Sequence, residues 1–359
     1  MNNLKKLGIS ALAGSLVAVT AHAGEISVSG SANVTYKTGK TANSSRSLGT
    51  DKDVAFTGSG ELDNGWSFTV STLLTDAYSV SSSYTSLTMG SMGTLTFGTD
   101  NGGISYMYDE EVPQVYEQTS DAQQNSANIV GNALDSNAVS YQAPALELGG
   151  ATVNIGVEYS PQAADSGAND GGQHTYSAAR GSGMGAGVTI AYDALKLGVY
   201  GAEIENSTSP DVTADSEKDH FEGVWYAKYS FGPVSIGYSE SYLENGLADT
   251  DDSPEAATAA KTVRTATGIF ASDSYSIAFN VNDQLSISYT ETEDTYDAQS
   301  NVKGGTEIVD VTQETEALQV AYSMGAMSVK AYTMETTNPG YDSNADKLNV
   351  TEIALGLSF

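Results

Sequence analysis

The sequence predicts an all-β fold, a closed antiparallel transmembrane β-barrel of about 16 strands, and three observations lead to it. Apolar and small polar residues alternate with a period of two through most of the chain after residue 24, which is the spacing of β-strands. Short turn sequences and long polar segments alternate between these runs. Tyrosine is abundant, with 21 residues against 8 phenylalanines and 2 tryptophans, as in the aromatic girdles of membrane barrels.

Composition excludes several other classes. The 359 residues include no cysteine, which excludes a disulfide scaffold and a thiolate metal site. The chain has 45 acidic and 15 basic side chains and a formal charge of −30. Nucleic acid is therefore not expected as a partner, because phosphate binding needs a positive face.

Residues 1–23 have the pattern of a secretory signal peptide. Lys5 and Lys6 precede an apolar run at 7–20, and Ala21-His22-Ala23 forms a small-residue cleavage site. The alternative, a membrane anchor, would need a longer apolar run. We expect cleavage to leave a barrel domain of residues 24–359, with the charge lowered to −32 by the loss of two lysines.

The alternation is clear in the first predicted strand, where Ile26, Val28 and Val34 share one face and small polar residues fill the other. Similar runs give sixteen predicted strands, each boundary approximate. They are residues 25–37, 52–62, 65–75, 78–90, 93–99, 137–143, 151–159, 186–193, 195–205, 219–231, 233–243, 265–280, 284–291, 314–323, 326–335 and 348–359.

The connections and the polar faces favour a membrane barrel over a soluble sandwich. Turns such as Asn64-Gly65 and Gly232-Pro233 alternate with long polar segments such as 100–136 and 292–313, which indicates short periplasmic turns and long extracellular loops. The sheet must close, because lipid offers no partner to an unpaired edge. Sixteen strands leave a water-filled interior. We expect the acidic residues to lie in loops and lumen and the lipid-facing residues to be nearly all neutral.

The chain resembles the Gram-negative general diffusion porins over its whole mature length. The resemblance rests on the signal ending at Ala23, the opening strand GEISVSGSANVTYK, the segment GSMGTLTFGTDNG before the third long loop, and the closing strand TEIALGLSF. It implies passive diffusion through a homotrimer in the outer membrane, amid lipid and lipopolysaccharide, with the third loop folded into each lumen. The closing residues are similar to the signal read by the barrel-assembly machinery; they are Ile353, Leu355, Leu357 and Phe359.

The third long loop supplies the candidate constriction. If it folds inward, its carboxylates face the lumen; otherwise they form a solvated acidic stretch outside the barrel. These residues are Asp109, Glu110, Glu111, Glu117 and Asp121.

Strand parity supplies the candidate pore wall. A charge on the lipid face at the bilayer midplane costs about 2–4 kcal/mol, so Lys37, Lys228 and Lys330 are expected to point inward, with Lys196 a weaker candidate. The family's wall arginines are missing, since the mature arginines lie at loops. We expect cation preference, because the inward acids exceed these lysines; they are Glu25, Asp53, Glu61, Glu222 and Glu352.

No cofactor is expected, although a crowded acidic loop could loosely bind calcium and bridge to lipopolysaccharide phosphates. Plain solvation explains the same residues, which are Asp249, Asp251, Asp252 and Glu255.

Two alternatives to a general diffusion channel remain. A substrate-selective outer-membrane channel would show an aromatic ladder, for which the third loop offers a hint in Tyr106, Met107, Tyr108 and Tyr116. A barrel enzyme or adhesin is the other. An enzyme would need a nucleophile beside a histidine, which the inward-facing set lacks, so no catalysis is expected.

Overall fold

The computed structural model is a single closed antiparallel β-barrel. It describes residues 24–40, 46–75, 79–99, 103–122, 130, 134, 137–163, 181–205, 219–244, 269–297 and 310–359. Its strands are β1 Glu25–Lys40, β2 Ser47–Glu61, β3 Ser67–Leu74, β4 Val80–Thr88, β5 Thr94–Thr99, β6 Ala138–Gln142, β7 Leu146–Leu148, β8 Ala151–Ser160, β9 Gly183–Tyr192, β10 Leu195–Ile204, β11 His220–Phe231, β12 Val234–Glu244, β13 Ile269–Asn280, β14 Leu285–Asp297, β15 Val311–Met324, β16 Met327–Thr337 and β17 Leu348–Ser358.

The barrel closes where β1 pairs with both β2 and β17. The segments β6 and β7 both pair with β8, so they form one barrel strand interrupted at residues 143–145. Pro144 lies in this interruption and has no N–H for the ladder, while Ala143 still donates to the Ile155 carbonyl at 2.9 Å. The seventeen segments therefore make sixteen barrel strands, which confirms the predicted count.

The two faces of the wall differ in chemistry. The outer face exposes apolar side chains such as Ile26 and Val28. The inner face is rich in serine and threonine, whose hydroxyls bond across strands, as in Ser276–Thr290 at 3.0 Å. A hydroxyl-lined interior stays compatible with water, as a hollow barrel requires.

Three strand boundaries were wrong in the sequence-based prediction, the first being the end of the sixth barrel strand, which continues through β7 to Leu148 instead of ending at residue 143. Strand β2 begins at Ser47 instead of residue 52, and β14 continues to Asp297 instead of ending at 291. Polar residues continue the alternation in the β14 extension, where Tyr296 is buried and stacks on Phe270 at 4.7 Å between ring centroids. The extension is therefore held by packing inside the barrel.

Carboxylates also lie on the outer face of β12–β16. Glu240, Asp273, Glu293 and Glu314 are successive register partners on the outward face. A second row follows through residues 291, 316 and 335. We call these residues the outer carboxylate rows. Among them, Glu293 lay beyond the predicted end of its strand, because an outward carboxylate interrupts the hydrophobic alternation and imitates a loop.

Aromatic donors and one lysine accompany the outer carboxylate rows. Trp225 Nε1 donates to Glu240 at 3.0 Å, and Tyr238 donates to Asp273. Lys347 forms an ion pair with Glu335 at 2.7 Å. Among the described residues, no helix has the length and apolar character needed to cross a bilayer.

Candidate functional site

Residues 103–122 of the third loop lie inside the barrel. The Val115 amide donates to Ser288 Oγ at 3.2 Å, and the Tyr116 amide donates to Gln319 Oε1 at 2.8 Å. The hydroxyls of Thr119 and Thr292 are 2.9 Å apart. Because these wall residues share the inner faces of β14 and β15, the loop runs along the interior wall.

The beginning of the loop packs on glycine-rich strand surfaces. Tyr108 is buried and stacks on Tyr200, with ring centroids 5.4 Å apart. A Cβ at Gly187 would overlap the Tyr108 ring, and a Cβ at Gly237 would overlap Pro113. These glycines therefore allow the loop to approach the wall closely. The glycines at 183, 185 and 187, spaced by two on one strand face, were an available sequence signal for this approach.

Glu158 is a site residue that the sequence analysis missed. Its side chain is buried on the inner face of β8 and accepts from the Ile104 amide at 2.8 Å and from the Tyr200 hydroxyl at 2.7 Å. It therefore holds the entry of the third loop to the wall. Its inward parity was visible in the sequence, but its loop partner was not.

The first lysine cluster joins the loop to β10 and β11. Lys196 and Lys228 are direct register partners, and both form ion pairs with Glu111 Oε2, Lys196 at 3.4 Å. Both ammonium groups also lie over the Tyr226 ring, 5.4 and 5.5 Å from its centroid. One loop carboxylate thus bridges two like charges that would otherwise repel across the strand pair.

The second lysine cluster surrounds the Tyr116 side chain. Its hydroxyl donates to Glu352 Oε1 at 2.6 Å, and Lys37 pairs with Glu352 Oε2 at 3.6 Å. The Lys330 ammonium lies 5.1 Å from the centroid of the Tyr116 ring. The same ring packs on Tyr332 at 5.7 Å. Burial, together with the hydrogen bond to Glu352, raises the pKa of the Tyr116 hydroxyl.

The other predicted loop acids have separate environments. Asp109 Oδ1 accepts from the Val130 amide at 3.4 Å. Glu110 is buried and adopts a positive φ of 42°. The Glu117 carbonyl accepts from Gln319 Nε2 at 2.5 Å, and Asp121 lies in the 3-10 turn Thr119–Ala122.

The remaining wall acids lie away from the lysine clusters. Glu61 ends β2 opposite Ser67 and is exposed. Asp51 and Asp53 share its inward face on β2. The described inner faces of β2–β6 carry these carboxylates with serine and threonine, and no lysine or arginine.

The predicted assembly residues end the closing strand. Ile353, Leu355, Leu357 and Phe359 all point outward and are exposed. The Phe359 amide donates to the Gly30 carbonyl at 3.0 Å, and the Gly30 amide donates back at 2.9 Å. The last residue of the chain is therefore part of the seam between β17 and β1.

The predicted calcium residues 249, 251, 252 and 255, and the predicted signal at 1–23, lie outside the described residues. Within the described part of the chain, no three Asp, Glu or His side chains are arranged to hold a metal ion.

Comparisons with known proteins agree with this architecture. A family model described as Gram-negative porin matches residues 8–358. A search of curated proteins found no match. Solved structures with similar folds include a porin with 16% identity and a TM-score of 0.61, covering 93% of this chain and 100% of its own.

Two further solved structures are similar at low identity. Salmonella typhi OmpF in complex with daunomycin has 14% identity and a TM-score of 0.65, covering 93% of this chain and 97% of its own. The trimer form of Vibrio cholerae OmpT has 14% identity and a TM-score of 0.56, covering 94% of this chain and 99% of its own.

Proposed function

The chain belongs to the Gram-negative porin family and is therefore an outer-membrane channel for passive diffusion, and from this premise we propose that it favours small hydrophilic cations. The observation that carries the proposal is the distribution of charge inside the barrel. The inward lysines lie in the two clusters beside the third loop, whereas the β2 wall carries Asp51, Asp53 and Glu61.

The third loop packs against the wall from β8 through β17, which leaves the passage along β2–β6. Hydroxyl groups on this side replace part of the hydration shell of a solute without binding it tightly. Carboxylates along the same path raise the local concentration of cations. The third loop restricts the width, so solutes are selected by size and by charge.

Reversal potentials in a salt gradient across a planar bilayer test the charge preference. We expect the sign of a cation-selective channel, and an anion-selective sign would overturn the proposal. Asp51→Asn should lower the cation-to-anion permeability ratio. Lys52→Gln is the matched control, because residue 52 is adjacent in sequence but points outward.

Liposome swelling with sugars of graded size tests general diffusion against substrate selectivity. Tyr108 and Tyr116 pack on the wall, whereas Tyr106 and Met107 are exposed, so the four residues do not form one continuous ladder. We expect a sharp size limit without stereochemical preference. Discrimination between sugars of equal size would favour a substrate-selective channel.

We extend the proposal to assembly. The chain would be exported with residues 1–23 as its signal, delivered to the outer membrane through its terminal aromatic residue, and assembled as a homotrimer among lipopolysaccharide. Calcium would bind at most loosely to the acidic loop at 249–255. Cross-linking of the purified protein tests the trimer, and its thermal stability with and without a chelator tests the calcium.

A further inference from the structure

Tyr116 contacts the second lysine cluster in two ways at once. Its ring covers the Lys330 ammonium at 5.1 Å, and its hydroxyl holds Glu352, the partner of Lys37. Among the described residues, the Lys330 ammonium makes its cation–π contact with the Tyr116 ring. A single uncharged loop side chain therefore lies against Lys330 and holds the carboxylate that pairs with Lys37.

The backbone around Tyr116 fixes this position. Its amide donates to Gln319 at 2.8 Å, and Gln319 donates in turn to the Glu117 carbonyl. The ring also packs on the buried cluster formed by Tyr332, Met334, Val350 and Ala317. Tyr116 is therefore held from both backbone and side chain, and its ring remains over Lys330.

We propose that Tyr116 is a specificity-determining residue, which keeps Lys330 and Lys37 from attracting anions and so maintains cation preference. The inference rests on the proposed function. A ring face attracts an ammonium and excludes water and permeating anions from that side. The hydroxyl keeps the Glu352 carboxylate beside Lys37, where it offsets the second positive charge.

Tyr116→Leu is the central test, because it changes no formal charge. Loss of the ring and hydroxyl should expose Lys330, attract anions to it and so lower the cation-to-anion permeability ratio. Charge counting alone predicts no change for this variant. An unaltered ratio would therefore overturn the inference.

A double-mutant cycle identifies Lys330 as the source of the effect. Lys330→Met should raise the ratio more in the Tyr116→Leu background than in the unaltered channel, and the double variant should return close to the original ratio. Equal effects of Lys330→Met in both backgrounds would show that Tyr116 does not keep Lys330 from attracting anions.

Two more variants complete the experiment. Tyr116→Phe keeps the ring and removes one of the hydrogen bonds to Glu352, which still accepts from the Tyr332 hydroxyl at 3.3 Å, so it should give a smaller shift in the same direction. Tyr322→Leu makes the same type of change on the outward face of β15 and should leave the ratio unaltered. An unmodified protein that forms no channels would defeat the proposed function. Conducting channels whose selectivity ignores residue 116 would defeat only this inference.

Discussion

The hydroxyl of Tyr116 and the carboxylate of Glu352 form a 2.6 Å hydrogen bond across 236 residues of sequence. It joins the third loop to the strand that closes the barrel. Hydrogen bonds to charged groups contribute about 1.5–3 kcal/mol. The contact therefore makes the shape of the constriction depend on completed closure of the barrel.

The stabilisation by the Tyr116 anchor should weaken above about pH 10. The folded pKa of this hydroxyl is raised by burial and by Glu352, above an unfolded value of about 10. Its contribution is therefore complete below about pH 10 and is lost as the pH rises toward the folded pKa. Single-channel records should show increased conductance fluctuation above about pH 10. Tyr116→Phe should lack this alkaline increase in conductance fluctuation. An identical increase in both proteins would show that the Tyr116 hydroxyl is not its cause.

Gly187→Val should move the third loop away from β9. The added side chain would overlap the Tyr108 ring, and overpacking of this kind costs about 1–3 kcal/mol. We expect the displaced loop to narrow the passage and lower the single-channel conductance.

Gly58→Val serves as the control, since a Cβ at this outward position meets nothing within 4 Å. A Gly187→Val channel of normal conductance would show that the loop does not need this glycine.

Glu111→Gln should release the first lysine cluster. Lys196 and Lys228 would then face each other without their shared carboxylate, at a cost of about 0.2–1 kcal/mol for partly exposed pairs. The cation-to-anion permeability ratio should fall. Adding Lys196→Gln should restore much of it, and reversal potentials measure both changes. No recovery in the double variant would argue against a charge origin.

Gly30→Ala should slow barrel closure. A Cβ there would lie 2.6 Å from the Phe359 ring and 2.8 Å from the Asp53 carbonyl oxygen. The Asp53 oxygen belongs to the β2 backbone and cannot rotate away, so the ladder between β1 and β2 must shift, and the Phe359 ring must leave its place on the seam between β1 and β17. The fraction of heat-modifiable folded protein after refolding into detergent measures the effect. Gly58→Ala should fold normally under the same conditions; equal yields for the two variants would refute the prediction.

Glu293→Gln should stabilise the barrel. Asp273 and Glu314 lie directly opposite Glu293 on the outer face, and like charges in this position are destabilising by roughly 0.2–1 kcal/mol. The thermal midpoint should rise modestly. Glu25→Gln should have little effect, because its partner on β2 is Ser59. A lower midpoint for Glu293→Gln would mean that the outer carboxylate rows are held by favourable contacts.

Much of the wall could be predicted because alternation is a local property. Each strand shows its period in its own side chains, so the number of barrel strands could be counted before their partners were known. The prediction failed where local polarity imitates a loop, as at Glu293, and where Pro144 interrupts a strand whose continuation at 146–148 is only three residues long.

The candidate site was less accessible to such reasoning. Alternation assigns a face to Lys228 or Glu352, but it contains no information about which residues of the third loop contact them. From the sequence, the loop acids and the inward lysines could be placed in the lumen but not paired with each other. The structure places Glu111 directly on Lys196 and Lys228.

The sequence by itself determined the barrel, its strand number and the chemistry of its two faces, because these follow from residue order along each strand. Only the tertiary structure decided how the third loop packs against the inner wall and which lysines it contacts. Contacts such as Tyr116 with Glu352 join segments that are brought together when the sheet closes, and no local pattern records that closure.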